Sequence, residues 1–151
     1  MGGVIRKTTD GGDTWKFQNS GTEQNLEDVF FINTTIGFVV GWSGTILKTT
    51  NGGENWFVQS EVTSNKYRDV FFLDANTGYI ASTGGIILKT TDGGSSWLSI
   101  NTGTNIGFQT ICFTDSNVGY AVGYENNWLI LKTTDGGSNW NIQLSSTEIS
   151  L

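Results

Sequence analysis

Apolar residues along this chain come in short bursts, and none of the bursts keeps a 3.6-residue period long enough to make a helix. From Leu26 the pattern reads LEDVFFIN, an aromatic and β-branched run that closes at the turn-like Asn33-Thr34-Thr35. Ile36–Gly41 (IGFVVG) is a second apolar run bounded by glycines, and Trp42-Ser43-Gly44 makes a tight connection into Thr45–Thr50 (TILKTT). Asn51-Gly52-Gly53 is a hairpin signal, and Asn55–Glu61 (NWFVQSE) follows as a fourth run. Strand-sized runs with turns every ~8–12 residues predict an all-β chain.

The same plan returns twice: Tyr67–Asp74, Gly78–Ser82, Ile86–Thr91 and Ser96–Asn101, then Phe108–Asp115, Gly119–Tyr124, Trp128–Thr134 and Asn139–Leu144. Ahead of these lie only the third and fourth runs of another unit, Val4–Thr9 and Thr14–Asn19. One phrase marks the period: KTTDGGDTW at 7–15, KTTNGGENW at 48–56, KTTDGGSSW at 89–97 and KTTDGGSNW at 132–140, with tryptophans 41, 41 and 43 residues apart. Four antiparallel strands in about 40–45 residues, repeated, predict a β-propeller blade. The expected organisation is a half blade at 1–20, blades at 21–61, 62–102 and 103–145, and the start of another at 146–151, where Leu151 aligns with Leu26. That makes about three and a half four-stranded blades, whereas a closed ring usually has about 4–8. Two completions are expected as alternatives. Either the chain is a fragment of a longer one, or a homodimer of two copies closes a seven-bladed ring.

Charge narrows the partners. The net charge is −6, and half of the eight basic residues are the repeated Lys7, Lys48, Lys89 and Lys132. No basic stripe is available to neutralise phosphates, so nucleic acid is not an expected partner. No apolar stretch is long enough to span a bilayer, so membrane insertion is not expected, and no signal-peptide pattern opens the chain. Gly3–Lys7 aligns with Gly44–Lys48, which suggests a chain that begins upstream. The single cysteine, Cys112, stands where the sister repeats have Phe30 and Phe71 and is expected to be a small packed residue.

The repeated phrase resembles the Asp-box of BNR-type propellers, Ser/Thr-x-Asp-x-Gly-x-Thr-Trp/Phe. The first copy matches at Thr8, Asp10, Gly12, Thr14 and Trp15, while the others depart with Asn51, Asn55, Ser96 and Asn139. A turn carboxylate or amide can accept from backbone N–H groups one to three residues on, glycines supply the positive φ of the bend, and the Trp covers the hairpin base. Asp10, Asn51, Asp92 and Asp135, with Trp15, Trp56, Trp97 and Trp140, are therefore expected to be structural. A reacting centre does not need the same acid on every blade, and a calcium loop would need more oxygen ligands per copy. The rest of the unit is similar to photosystem II assembly and stability factor repeats. The matching residues are Asp28-Val29-Phe30-Phe31, Asp69-Val70-Phe71-Phe72, Gly37-Phe38, Gly78-Tyr79, Gly119-Tyr120 and the Gly-x-Ile-Leu-Lys-Thr-Thr that leads into the boxes, complete at 44–50 and 85–91. That resemblance implies a docking platform for membrane-protein subunits and a lumenal, periplasmic or secreted location. The family's arginine-rich patch has no counterpart here, where Arg6 and Arg68 are the two arginines.

Enzyme readings fail on residue types. Sialidases share the fold and the box, but their sites resemble one another in using three arginines, and bidentate guanidinium geometry is not supplied by lysine. With no histidine, Ser–His–Asp and Cys–His mechanisms and imidazole metal sites are excluded. No acid pair stands out as unique and convergent, and Asp28 and Asp69 occupy equivalent repeat positions. No catalytic, cofactor or metal residues are expected.

In a propeller the fourth-to-first and second-to-third connections share one face, and it is there that the repeats differ: 18–26, 41–45, 59–67, 82–85, 99–107 and 123–128. Trp42 and Trp128, the two tryptophans outside the boxes, lie in second-to-third connections; Tyr124 precedes one of them, and Lys66, Tyr67 and Arg68 break the repeat with local positive charge. Aromatic and arginine anchors are typical of protein-binding hot spots, and amphipathic rings also suit sugar stacking. The expected function is a non-enzymatic scaffold with a protein partner at Trp42, Lys66, Tyr67, Arg68, Tyr124 and Trp128. The alternative is a carbohydrate-binding or glycosidase-associated segment.

Overall fold

The structure is a computed structural model that describes residues 2–59, 65–124 and 128–145. β1 (Ile5–Lys7) and β2 (Lys16–Gln18) form a two-stranded sheet. Three four-stranded antiparallel sheets follow, each in sequential order. They comprise β3 (Leu26–Phe31), β4 (Gly37–Gly41), β5 (Ile46–Thr49) and β6 (Phe57–Val58); β7 (Tyr67–Phe72), β8 (Gly78–Ser82), β9 (Ile86–Thr90) and β10 (Leu98–Asn101); and β11 (Phe108–Phe113), β12 (Gly119–Tyr124), β13 (Trp128–Thr133) and β14 (Asn141–Ser145). This is the expected all-β propeller segment. Residues 125–127 of the last second-to-third connection, Glu61 and the proposed new first strand at 146–151 lie outside the described residues.

Several strands are shorter than their hydrophobic runs, for identifiable reasons. The first strand of each blade stops before Asn33, Asp74 or Asp115, because those side chains turn back to accept from backbone N–H groups two and three residues on. The fourth strand begins only after the box tryptophan, because the residue before that Trp gives its N–H to the box side chain.

The core lies between blades. Phe38, Val40 and Ile46 point forward onto Tyr67, Val70, Phe72, Ile80 and Leu88 of the next sheet, while Val39 and Leu47 point back towards Ile5. Tyr79, Ala81 and Ile87 repeat the forward contact onto Ile111, Phe113 and Leu131. The second strands β4 and β8 are thus buried at every position, which is why they read as continuous apolar runs instead of alternating ones. Each fully buried side chain contributes about 1.5–3 kcal/mol. Two polar latches cross the same seams. Asp28 accepts from the Val70 N–H at 2.9 Å, and Asp69 accepts from the Ile111 N–H at 2.7 Å and the Thr110 hydroxyl at 2.6 Å. Lys48 and Lys89 donate to Gly93 O and Gly136 O of the following box at 2.8 and 2.7 Å.

Each box is locked by two acceptors. The Thr hydroxyl oxygen (Thr8, Thr49, Thr90, Thr133) accepts from the second glycine N–H at 2.8–2.9 Å. The Asp or Asn oxygen accepts from the N–H four residues on, at 2.9–3.0 Å, which is one residue farther than the turn pattern suggests. These bonds hold the Asp92 carboxyl at about 2, chiefly through the Ser96 hydroxyl, and Asp135 at about 2, chiefly through the Asn139 amide. Asp10 is held lower still, the Thr14 hydroxyl leading.

Two packing expectations need correction. Trp56 is buried against Phe31, and Trp97 and Trp140 meet Phe72 and Phe113 edge-on at ~6 Å, but Trp15 is 55% exposed. Its sheet, as described, has no first strand to bring a phenylalanine to it. Cys112 is exposed, because it points forward as Phe30 does onto Phe71, and no described blade follows.

Candidate functional site

Backbone hydrogen bonds place the variable connections together. Trp42 N–H donates to Asn25 O, Gly44 N–H to Asn65 O, Thr83 N–H to Lys66 O and Tyr124 N–H to Gly107 O, so second-to-third and fourth-to-first connections share one end of the sheets. The boxes lie at the other end, where Gly52, Gly93 and Gly136 donate to the first-to-second turns at 2.8–2.9 Å.

At the variable end, each first strand carries a bulge at the same place, between Leu26 and Asp28, Tyr67 and Asp69, and Phe108 and Thr110. The bulged residues are Glu27, Arg68 and Gln109. A bulge re-aims its side chain, and here all three turn to the connection face or to the adjacent blade. Glu27 accepts from the Trp42 indole N–H. Arg68 Nη1 donates to Gln109 Oε1 at 3.1 Å, and Gln109 Nε2 donates to Tyr124 O at 3.3 Å.

The candidate residues divide accordingly. Lys66 Nζ lies 3.8 Å from the Trp42 ring centroid, a cation–π contact between two blades. Tyr124 and Trp128, directly paired across β12 and β13, have ring centroids 4.6 Å apart and remain 46% and 58% exposed. Arg68 is joined to this pair through Gln109. Tyr67 does not belong with them. It is fully buried, because the strand pleat turns it into the core with Val40, Ile46 and Val70, and it presents no ring to a partner. Gln109 and Glu27 escaped sequence reasoning; a bulge leaves no local mark except that these residues differ among otherwise equal repeats.

The box aspartates and the first-strand pair Asp28 and Asp69 are engaged elsewhere. The box acids serve their own turns, and Asp28 and Asp69 join neighbouring first strands. Burial raises the Asp69 carboxyl above its ordinary value, and the adjacent Asp28 adds to this. Among the described residues no group of three or more Asp, Glu, Cys or His side chains gathers to hold a metal, and no helix is long and apolar enough to cross a membrane.

Comparison with solved structures places this geometry. A structure of YCF48 bound to D1 peptide is similar at 27% identity and a TM-score of 0.69, covering 79% of this chain and 40% of that one. YCF48 from Cyanidioschyzon merolae matches at 21% identity and a TM-score of 0.68, over 87% of this chain and 44% of that one. The GH74 enzyme of Niastella koreensis shares the fold at 20% identity and a TM-score of 0.80, over 94% of this chain and 26% of that one. The chain thus spans about a quarter to just over two fifths of the length of these proteins. No curated protein matches it in sequence. The family model for photosynthesis system II assembly factor YCF48 matches residues 9–107, about two thirds of the chain, and the protein belongs to that family.

Proposed function

We propose that the protein is a non-enzymatic scaffold for protein–protein interaction or complex assembly, and that it engages a protein partner on the connection face. The observation that carries this reading is the row of non-repeated side chains there: Trp42 with Lys66, then Arg68, Gln109, Tyr124 and Trp128. Aromatic and arginine side chains held by neighbours lose little freedom on binding, which suits them as anchors. Similarity to a YCF48 bound to D1 peptide supports a peptide-bearing partner. The non-enzymatic part rests on the absence of histidine from the sequence and on box acids that are engaged in turns. The family likeness supports a location outside the cytoplasm, which cell fractionation would check.

Calorimetric titration with the D1 peptide tests the reading. Binding that weakens with salt and drops at least ten-fold in Arg68→Ala and Trp128→Ala is the expected result. Binding indifferent to both substitutions would sink the connection-face assignment.

A carbohydrate reading is favoured by one observation, the exposed Tyr124–Trp128 pair, whose rings suit sugar stacking. Titration with soluble oligosaccharides separates the two, because stacking on these rings should hardly respond to salt.

A further inference from the structure

The second box differs from its three sisters in the chemistry of its turn acceptor. Where they carry the carboxylates of Asp10, Asp92 and Asp135, it carries the amide of Asn51, followed by Gly52. This is the single Asn-Gly pair in the sequence. All four acceptor positions are exposed, so the Asn51 amide is open to water.

One oxygen works alike in amide and acid. Asn51 Oδ1 accepts from the Thr49 hydroxyl at 2.9 Å and the Asn55 N–H at 3.0 Å, as Asp135 Oδ1 does from the Thr133 hydroxyl at 2.8 Å and the Asn139 N–H at 2.9 Å. The second oxygen marks the difference. Asp135 Oδ2 accepts from the Asn139 side-chain amide at 2.7 Å, and Asp10 and Asp92 use theirs for the hydroxyls of Thr14 and Ser96, at 2.5 and 2.6 Å. In the second box a donor, Asn51 Nδ2, takes that place. The side chain of Asn55, equivalent to Asn139, makes no hydrogen bond among the described residues.

We propose that Asn51 is a deamidation site, and that the folded box receives the aspartate so formed into the lock its sisters already have. The Gly52 nitrogen attacks Asn51 Cγ and bonds to it. The Cγ–Nδ2 bond breaks, and the side-chain nitrogen leaves as ammonia with the proton that Gly52 gives up. Water then opens the five-membered imide. Opening at Cγ restores the main chain and leaves a side-chain carboxylate; opening at the main-chain carbonyl leaves isoaspartate. Nothing is oxidised or reduced. Gly52 has no Cβ to hinder the attack. In the closed hairpin the Gly52 N–H is given to Thr35 O at 2.8 Å, and Asn51 Oδ1 holds its two donors, so the attack proceeds from a locally opened turn. On reclosing, the new carboxylate meets the Thr49 hydroxyl, the Asn55 N–H and, at its second oxygen, the Asn55 amide. That last bond is charge-assisted, and the Asn51 amide nitrogen cannot accept it. Isoaspartate adds a methylene to the main chain and does not fit the turn, so aspartate accumulates. The site lies at the box end and does not depend on the reading given for the connection face.

The test is incubation of the full chain at mildly alkaline pH and body temperature, followed by tandem mass spectrometry of the tryptic segment 49–66. The free peptide of residues 48–56, KTTNGGENW, runs beside it. Conversion at Asn51 ahead of every other asparagine, slower than in the peptide and with aspartate as the main product, is expected. The Asn51→Asp variant should melt about 2–4 °C above the freshly prepared parent chain at neutral pH, the shift that one hydrogen bond brings in a chain of this size. In the background of Asn55→Ala the same substitution should bring no gain. Asn51 surviving while other asparagines convert, or isoaspartate dominating in the folded chain, overturns the proposal. So does an Asn51→Asp variant that melts no higher than the parent, or one whose gain persists without the Asn55 amide.

Discussion

The Tyr79 hydroxyl donates to Gly136 O at 2.9 Å across a blade seam, and the Lys89 ammonium reaches the same oxygen at 2.7 Å. The Tyr79 ring meanwhile stacks on Phe113, so one side chain joins the core of the seam to the hairpin at its edge. Burial pushes its phenol up to about 12, which keeps the hydroxyl a donor at any working pH.

Tyr79→Phe removes one bond but leaves the stack and the lysine contact, and the neighbouring seam already runs on Phe38. The expected loss is about 1 kcal/mol in urea unfolding. Tyr79→Ala opens a cavity against Phe113 and should lose about 3–5 kcal/mol. Equal losses in the two variants would refute the assignment of most of the contribution to the ring.

Acid should loosen the hairpins in a defined window. Asp92 and Asp135 are held at about 2 when folded, below the ordinary carboxyl value near 3.8. Their stabilisation is therefore complete above about pH 4 and is lost as the pH falls towards 2. The melting temperature should decline across that window, and more shallowly in the Asp92→Asn/Asp135→Asn double variant. Asn51 already performs the same backbone role without titrating. Parallel pH profiles for the two proteins would contradict this account.

Asp69 runs the other way. Its carboxyl is raised by burial and by Asp28, so its charge is unfavourable in the fold at neutral pH and is relieved as the pH falls. Asp69→Asn keeps an oxygen for the Ile111 N–H and should raise the melting temperature at pH 7, with a smaller gain near pH 4. Asp69→Ala leaves that N–H unpaired and should cost about 1–3 kcal/mol. A stabilised alanine variant would show the latch to be dispensable.

Phe31, Phe72 and Phe113 are equivalent in the repeat but not in surroundings. Phe72→Ala and Phe113→Ala should each cost about 3–5 kcal/mol, whereas Phe31→Ala, half-exposed at the seam beside β1 and β2, should cost roughly half as much. Chemical denaturation of the three variants checks this, and three equal losses would mean that the first seam is closed in solution.

The strands and their order were legible in the sequence, because each is a local matter. A glycine pair fixes a turn, a short apolar run fixes a strand, and four repetitions average out the ambiguity of any one. Trp42, Lys66, Arg68, Tyr124 and Trp128 were also visible, as departures from the repeat. Tyr67 has charged neighbours in sequence that suggest an exposed position, and only the pleat of β7 and the blade packed against it show that it turns inward. Glu27 and Gln109 gained meaning from bulges that aim them. The exposure of Trp15, Cys112 and Phe31 could not be read from residue type at all, since identical repeat positions are buried or open according to whether a neighbouring sheet lies against them. Burial belongs to pairs of elements, and a sequence read one element at a time records only one member of each pair.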